Sequence, residues 1–288
     1  MRQHEGFAVA RGCNPVYYRV LGDDQGGLPV VFTDGIGCDG FAWKYLERSL
    51  APSRKLIHWH YPGHGRTPAP RSGRRISIAD LADCLANVLD ANDVPKAVLV
   101  GHSMGVQVCL EAFRRHAARV AALVLACGSY GNPLRTFKGR TTLDTAIPYL
   151  RFITACAPRL VGAFWRKVVP TKLALALAAR FEVNPDLLRL DDFRPYLEHL
   201  SNMDPSLFLE MLEHAGRHSA RELLPTIDVP TLIIAGDRDG FTPVHLSEEM
   251  HRSIASSELL IIEGGTHTAP LERPARVDEA VTRFLARL

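Results

Sequence analysis

The stretch Gly101-His102-Ser103-Met104-Gly105 sets a serine between two glycines with the spacing G-x-S-x-G. The apolar run KAVLV precedes it and VQVCLEAF follows, so the pattern predicts a strand running into the serine and a helix running out of it. Such a turn is tight enough that the residues two before and two after the serine must lack side chains. The hydroxyl then stands clear of the sheet, at a helix N-terminus whose backbone N–H groups can help hold an oxyanion. An ordinary glycine-rich turn is the plain alternative, and the strand-before, helix-after context favours a nucleophile.

A serine nucleophile needs a base, and the base needs an orienting carboxylate. Downstream, the run TLIIAG leads into Asp237-Arg238-Asp239-Gly240-Phe241-Thr242-Pro243, and ELLIIEG leads into Gly264-Gly265-Thr266-His267. Each lies where a strand ends at its C-terminal side, the edge on which open α/β sheets build their sites. Position alone admits either Asp237 or Asp239 as the carboxylate.

Two other chemistries compete. Gly35, Gly37 and Gly40 in PVVFTDGIGCDG spell G-x-G-x-x-G after an apolar run, as in a dinucleotide-binding turn. That site wants an acidic residue about 20 positions on for the ribose. Arg54 to Gly73 contains neither Asp nor Glu, and Asp34 and Asp39 put negative charge where a pyrophosphate would lie. His58, His60 and His64 form H-x-H-x-x-x-H, a spacing compatible with zinc, but no adjacent Asp-His pair follows. Neither a nucleotide nor a metal is expected. His102 is expected to be a packed residue of the turn rather than a second base.

Seven short apolar runs read as strands: VYYRV, PVVFT, KLIHWH, KAVLV, AALVLA, TLIIAG and ELLIIEG. Helices are predicted between them. Ile78, Leu81, Ala82, Leu85, Val88 and Leu89 share a face behind a Ser77-x-x-Asp80 cap signal, as do Val277, Ala280, Val281, Phe284, Leu285 and Leu288. This alternation predicts a mostly parallel, doubly wound sheet. It breaks between about Asn132 and Pro225, where IPYLRFITACAP, LVGAFWRKVV, KLALALAARF and SLFLEMLEHAG are helical patterns divided by Pro158, Pro170, Pro185, Pro195 and Pro205. The 288 residues suit one large domain with an insertion. A net charge of +3 with scattered basic residues gives no reason to expect nucleic acid or an anionic membrane as partner. The longest uncharged run, Val120 to Leu134, is 15 residues, too short to span a bilayer. MRQHEGFAVARG lacks a signal-peptide core, and the six cysteines, at least 18 residues apart, read as buried free thiols, so a cytoplasmic location is expected.

With these residues in place, the chain resembles the α/β-hydrolase superfamily over nearly its whole length. The resemblance implies an α/β-hydrolase fold of about eight strands, with the core in residues 1–131 and 226–288 and a helical cap in 132–225. It implies Ser103 as nucleophile, His267 as base and Asp239 as acid, because Gly236, Asp239 and Pro243 match the family's G-x-x-D-x-x-x-P. It further implies an oxyanion hole from the backbone N–H groups of Ile36 and Met104, with Gly35, Gly37, Gly101 and Gly105 allowing close backbone approach. The substrate would be a small carboxylic ester, hydrolysed without a cofactor through an acyl-enzyme. Thioesterase, lactonase, perhydrolase and C–C hydrolase activities belong to the same fold, as do non-catalytic ligand-binding members. Phe152, Phe164, Trp165, Phe181 and Phe208 of the insertion are candidates for lining the pocket.

Three positions depart from the family pattern. Asp34 stands where a His usually precedes the oxyanion glycine, and His60 where HYPGHGRT would begin with Asp in the family turn D-x-x-G-x-G-x-S. Val106 stands where a small residue often packs. Since the strands before Asp34 and His60 are neighbours in the family's sheet, the two residues are expected to have exchanged places and to hydrogen-bond each other.

Overall fold

The computed structural model describes residues 3–9, 15–22, 26–70, 75–136, 142–171 and 183–288. Eight strands, β1 (Gln3–Ala8), β2 (Val16–Leu21), β3 (Val30–Thr33), β4 (Leu56–Trp59), β5 (Ala97–His102), β6 (Val120–Ala126), β7 (Thr231–Gly236) and β8 (Ser257–Ile262), form one sheet. Their order is β1-β2-β4-β3-β5-β6-β7-β8. The β1–β2 and β2–β4 pairs are antiparallel, and every later pair is parallel. β2 to β8 are the seven expected runs. β1 carries no apolar alternation; QHEGFA is an edge strand exposed over its first three residues, so nothing in its composition marked it.

The central strands are buried on both faces, and their period of two feeds two core layers. Val31, Leu99, Leu123, Leu125 and Ile233 pack on one side, with helices α2 (Ile78–Asp90) and α3 (Met104–His116). Val30, Phe32, Val98, Val100, Val124 and Ile234 pack on the other, with α1 (Lys44–Leu50) and the helix Pro274–Leu285. The expected cap signal of α2 is a closed capping box: Asp80 N–H donates to Ser77 Oγ at 3.1 Å, and Ser77 N–H donates to Asp80 Oδ2 at 2.9 Å. The expected apolar face of Pro274–Leu285 is buried except for Leu288, which lies past the helix end and is exposed.

Between β6 and β7 the described residues form helices Pro133–Thr136, Thr142–Cys156, Pro158–Val168, Leu190–Asn202 and Pro205–Arg217, and a 3₁₀ segment Arg221–Thr226. KLALALAARF, with Phe181, lies outside the described residues. Leu190–Asn202 was not expected as a helix, since Pro195 reads as a divider. Proline removes one hydrogen bond from a helix interior. Here the burial of Phe193, Leu197 and Leu200 offsets that loss. No helix among the described residues is long and apolar enough to cross a membrane.

Candidate active site

β5 ends at His102 and α3 begins at Met104, so Ser103 alone makes the turn, with φ 55° and ψ −118°. A non-glycine residue rarely adopts this left-handed conformation, and the cost is met by surrounding structure. The flanking glycines are required by contact. A Cβ on Gly101 would sit 2.5 Å from Gly105 O, and one on Gly105 would sit 2.2 Å from Thr33 O. Val106, larger than the family pattern suggests, is accommodated because Gly128 has no side chain; a Cβ there would be 2.4 Å from Val106 Cγ2.

The three loops expected to carry the chemistry converge. Ser103 Oγ lies 2.8 Å from His267 Nε2, and His267 Nδ1 lies 2.9 Å from Asp239 Oδ2. Asp239 accepts further hydrogen bonds from the N–H groups of Phe241 and Thr242, each at 2.8 Å, and from Thr242 Oγ1 at 2.7 Å. Burial alone would raise this carboxyl, but the imidazole of His267 and the Thr242 donors override it and hold it below its usual value. An ionised Asp239 makes Nδ1 the donor and leaves Nε2 to accept from the Ser103 hydroxyl. Asp237 is exposed to solvent, whereas Asp239 is buried.

His267 sits on a loop held by His102 of the nucleophile motif and by Glu272, which no sequence motif marked. His102 donates from Nε2 to His267 O at 2.8 Å; burial, then the facing His267, pushes its own pKa down to about 4. It is a packed residue of the turn, as expected, but with a positioning bond. Glu272 is buried and accepts from Thr266 N–H at 2.7 Å, Thr266 Oγ1 at 2.6 Å and Thr268 Oγ1 at 3.1 Å, closing the loop around His267.

The loop after β3 requires one correction. Asp34 does not pair with His60; its Oδ2 lies 2.8 Å from Nε2 of His58, and both side chains are 2 % exposed. β3 and β4 pair in parallel with Phe32 opposite His58, so Asp34, two residues on, shares that face. His60 lies beyond the end of β4. Its Nδ1 accepts the N–H of Arg66 at 2.9 Å within its own turn, and its ring packs 4.8 Å from Tyr17. Burial, then the charge on His58, pushes His60 down to about 3. For the Asp34–His58 pair, burial opposes charge on both partners, yet their mutual attraction prevails: the Asp34 pKa is lowered and that of His58 raised. The third histidine of the motif also anchors this loop. His64 Nε2 accepts Gly37 N–H at 3.0 Å, while its Nδ1 donates to Pro62 O at 3.2 Å; burial lowers its pKa to about 4. Tyr61 donates its hydroxyl to Asp34 O at 2.5 Å. His58 and His64 of the motif thus clasp the segment Asp34–Gly37, and a Cβ on Gly35 would lie 3.1 Å from Ser103 Cβ.

Ser103 and His267 open onto a cavity of about 400 Å³ whose lining includes Ile36, Met104, Phe193, Tyr196, Leu200, Phe208, Leu212 and Phe241. Of the aromatic candidates, Phe208 lines it. Trp165 stands behind, its ring 5.5 Å from Phe208 and its Nε1–H donated to Leu200 O at 2.7 Å. Phe152 and Phe164 point to solvent. Leu190–Asn202, the helix the sequence concealed, supplies Phe193, Tyr196, Leu197 and Leu200.

A sequence model described as "alpha/beta hydrolase fold" matches residues 29–274. The chain belongs to that family. A pimeloyl-[acyl-carrier protein] methyl ester esterase of Neisseria meningitidis serogroup B / serotype 15 (strain H44/76) is 31% identical, covering 77% of this chain and 78% of the relative. A Bacillus subtilis (strain 168) protein, named provisionally as a 2-succinyl-6-hydroxy-2,4-cyclohexadiene-1-carboxylate synthase, is 28% identical over 85% of each chain. Among solved structures, a thermophilic esterase from Thermogutta terrifontis superposes with a TM-score of 0.75 at 23% identity, covering 100% of this chain and 99% of that one.

Proposed function

We propose that the protein is a serine hydrolase that cleaves uncharged carboxylic esters of short to medium acyl length through an acyl-enzyme. The observation that carries this reading is the hydrogen-bonded chain Ser103–His267–Asp239 opening onto an apolar cavity. Ser103 Oγ attacks the ester carbonyl while His267 Nε2 takes its proton, and Asp239 stabilises the imidazolium that forms. The carbonyl oxygen becomes an oxyanion held by the N–H groups of Ile36 and Met104. Both residues line the cavity, and the first N–H groups of α3 have no intrahelical acceptor. His267 then returns the proton to the leaving alcohol, and water repeats the sequence on the acyl-enzyme. The helices of 132–225 act as a cap that keeps the site dry, with core segments 1–131 and 226–288 carrying the catalytic groups. No cofactor enters these steps.

The substrate assignment rests on the lining. No Lys, Arg, Asp or Glu side chain lines the cavity among the described residues, so a substrate bearing carboxylates would be desolvated without a counter-charge. This favours a neutral ester over a polycarboxylate, and the esterase among the relatives points the same way. A fluorophosphonate is expected to add covalently to Ser103, located by peptide mapping, and Ser103→Ala is expected to abolish both labelling and turnover with the fold intact. Folded protein that stays unlabelled, or labels elsewhere, overturns the enzyme reading. An acyl-length series of esters, run beside a thioester and a lactone, then sets the reaction subtype.

A further inference from the structure

The outer surface of the helical segment carries an apolar face that the ester-cleaving site does not use. Among the described residues eleven large hydrophobic side chains are exposed, and seven of them lie on two consecutive helices, Thr142–Cys156 and Pro158–Val168. On the first helix Tyr149, Phe152 and Ile153 recur at one-face spacing, 68%, 69% and 53% exposed. On the second, Leu160, Phe164 and Val168 recur every four residues, with Leu160 72% and Phe164 66% exposed. This second helix is apolar on both sides: Val161, Trp165 and Val169 form its inner stripe. Burial of a core therefore does not account for Leu160, Phe164 and Val168. Neither helix contributes to the cavity lining.

The charge on the second helix is one-sided. Lys167 is exposed beside the outer stripe and Arg159 and Arg166 on the next exposed flank of the same helix, and Pro158–Val168 contains no acidic residue. On the first helix Arg151 is held by Glu213, and Asp144 is the lone acid of the two helices. A symmetric contact between two copies would set these cationic rims against each other. An anionic partner meets both features at once, and bulky protruding aromatic and aliphatic side chains flanked by Lys and Arg suit the interface of an acidic bilayer. We infer that helices Thr142–Cys156 and Pro158–Val168 form a docking face for an anionic lipid surface, seating the hydrolase on the membrane by its outer helical layer. Tyr149, Phe152, Ile153, Leu160 and Phe164 enter the headgroup–acyl boundary, while Arg159, Arg166 and Lys167 face the phosphates. The local cluster thus outweighs the scattered charge of the chain as a whole.

The test is co-sedimentation of the whole protein with vesicles of phosphatidylcholine alone and of phosphatidylcholine mixed with phosphatidylglycerol, at low and high salt. The wild type is expected to bind the mixed vesicles, more weakly as salt rises. Phe152→Ser/Phe164→Ser is expected to weaken binding about tenfold or more, since two buried aromatic contacts are lost. Arg159→Gln/Arg166→Gln/Lys167→Gln is expected to weaken binding to the mixed vesicles about a hundredfold, with little change on phosphatidylcholine. Both variants lie outside the cavity and are expected to keep hydrolysis of a water-soluble ester, which separates lost docking from lost folding. Absence of binding to the mixed vesicles overturns the inference. So does equal binding to both vesicle types that the charge variant leaves unchanged. A dimer in light scattering that Phe152→Ser/Phe164→Ser dissociates, with no vesicle binding, would assign the face to a second copy instead. Vesicle binding is read without any substrate, so its failure leaves the ester-cleaving reading untouched.

Discussion

At the scale of single residues, burial separates two carboxylates that sequence position leaves equivalent. Asp239 is enclosed by the N–H groups of Phe241 and Thr242 and faces His267, whereas Asp237 looks into solvent. Asp239→Asn is therefore expected to lower kcat by orders of magnitude, because the amide favours the wrong imidazole tautomer, and Asp237→Asn by little. Steady-state kinetics on one ester checks the ranking; equal losses would place the acid elsewhere. The Asp34–His58 pair sets a second test. Removing one partner of a buried ion pair leaves the other uncompensated, at a cost of about 3–5 kcal/mol. His58→Gln leaves the Asp34 charge unneutralised in the loop that approaches Ser103, so it is expected to reduce kcat more than Asp34→Asn does. The double variant should recover much of the loss, and His60→Gln should lie close to wild type. Additive losses in the cycle would mean that the two side chains do not communicate.

At the scale of elements, the site is a consequence of where strands stop. β3, β5, β7 and β8 end on one edge, and each is followed by a loop that carries one part of the proposed machinery: Asp34–Gly37, Ser103, Asp239 and His267. The parallel register holds those loops side by side, and two glycines let β5 turn into α3 against the end of β3. Helix α2 contributes no residue to the cavity lining. Ser77→Ala in its capping box is expected to cost about 1 kcal/mol in denaturant unfolding, with kcat and KM unchanged. A change in kcat would tie α2 to the site by a route that the contacts do not contain.

At the scale of the whole molecule, the buried histidines govern acid tolerance. His64 and His102 are depressed to about 4 and His60 to about 3, each primarily by burial. Their unfolded pKa is about 6.5, so between that value and their folded ones the unfolded chain binds more protons. Stability must therefore fall as pH falls through this window, by up to about 1.4 kcal/mol per pH unit for each histidine. His58, raised by Asp34, works in the opposite sense: its contribution is fully present below about 6.5 and is lost as pH rises through its folded value. Asp34 and Asp239, both lowered, withdraw their contributions only as pH drops below about 3.8. Burial also lowers His199, His214 and His218, so six depressed histidines stand against the raised His58 and the raised carboxyls of Asp39 and Asp278, and Tm is expected to decline from near neutrality down to about pH 4. His64→Gln keeps an acceptor for Gly37 N–H and cannot gain a proton, and its Tm should decline less steeply. An identical slope would mean that His64 is not protonated on unfolding in this range.

The sequence by itself determined the alternation of strands and helices, the glycine-flanked turn at Ser103, and the placing of an aspartate and then His267 after the last two strands. Those features are local: they follow from apolar period, from glycine spacing and from which residue follows which strand. It also marked Asp34 and the three histidines as unusual, but assigned the wrong partner. The bond to His58 depends on the β3–β4 register and on β4 ending before His60, and neither is written in the residues themselves. The edge strand β1 was concealed because a strand with one solvated side needs no apolar run. Leu190–Asn202, the helix that walls the cavity, was concealed by Pro195; its burial against the core and the bonds that Lys44 and Tyr45 donate to Asp192 stabilise a helix that local propensity argues against. The same holds for which aromatics face the cavity. Phe208 and Phe152 are alike in sequence, and the packing of one helix on another places the first in the cavity and the second in solvent.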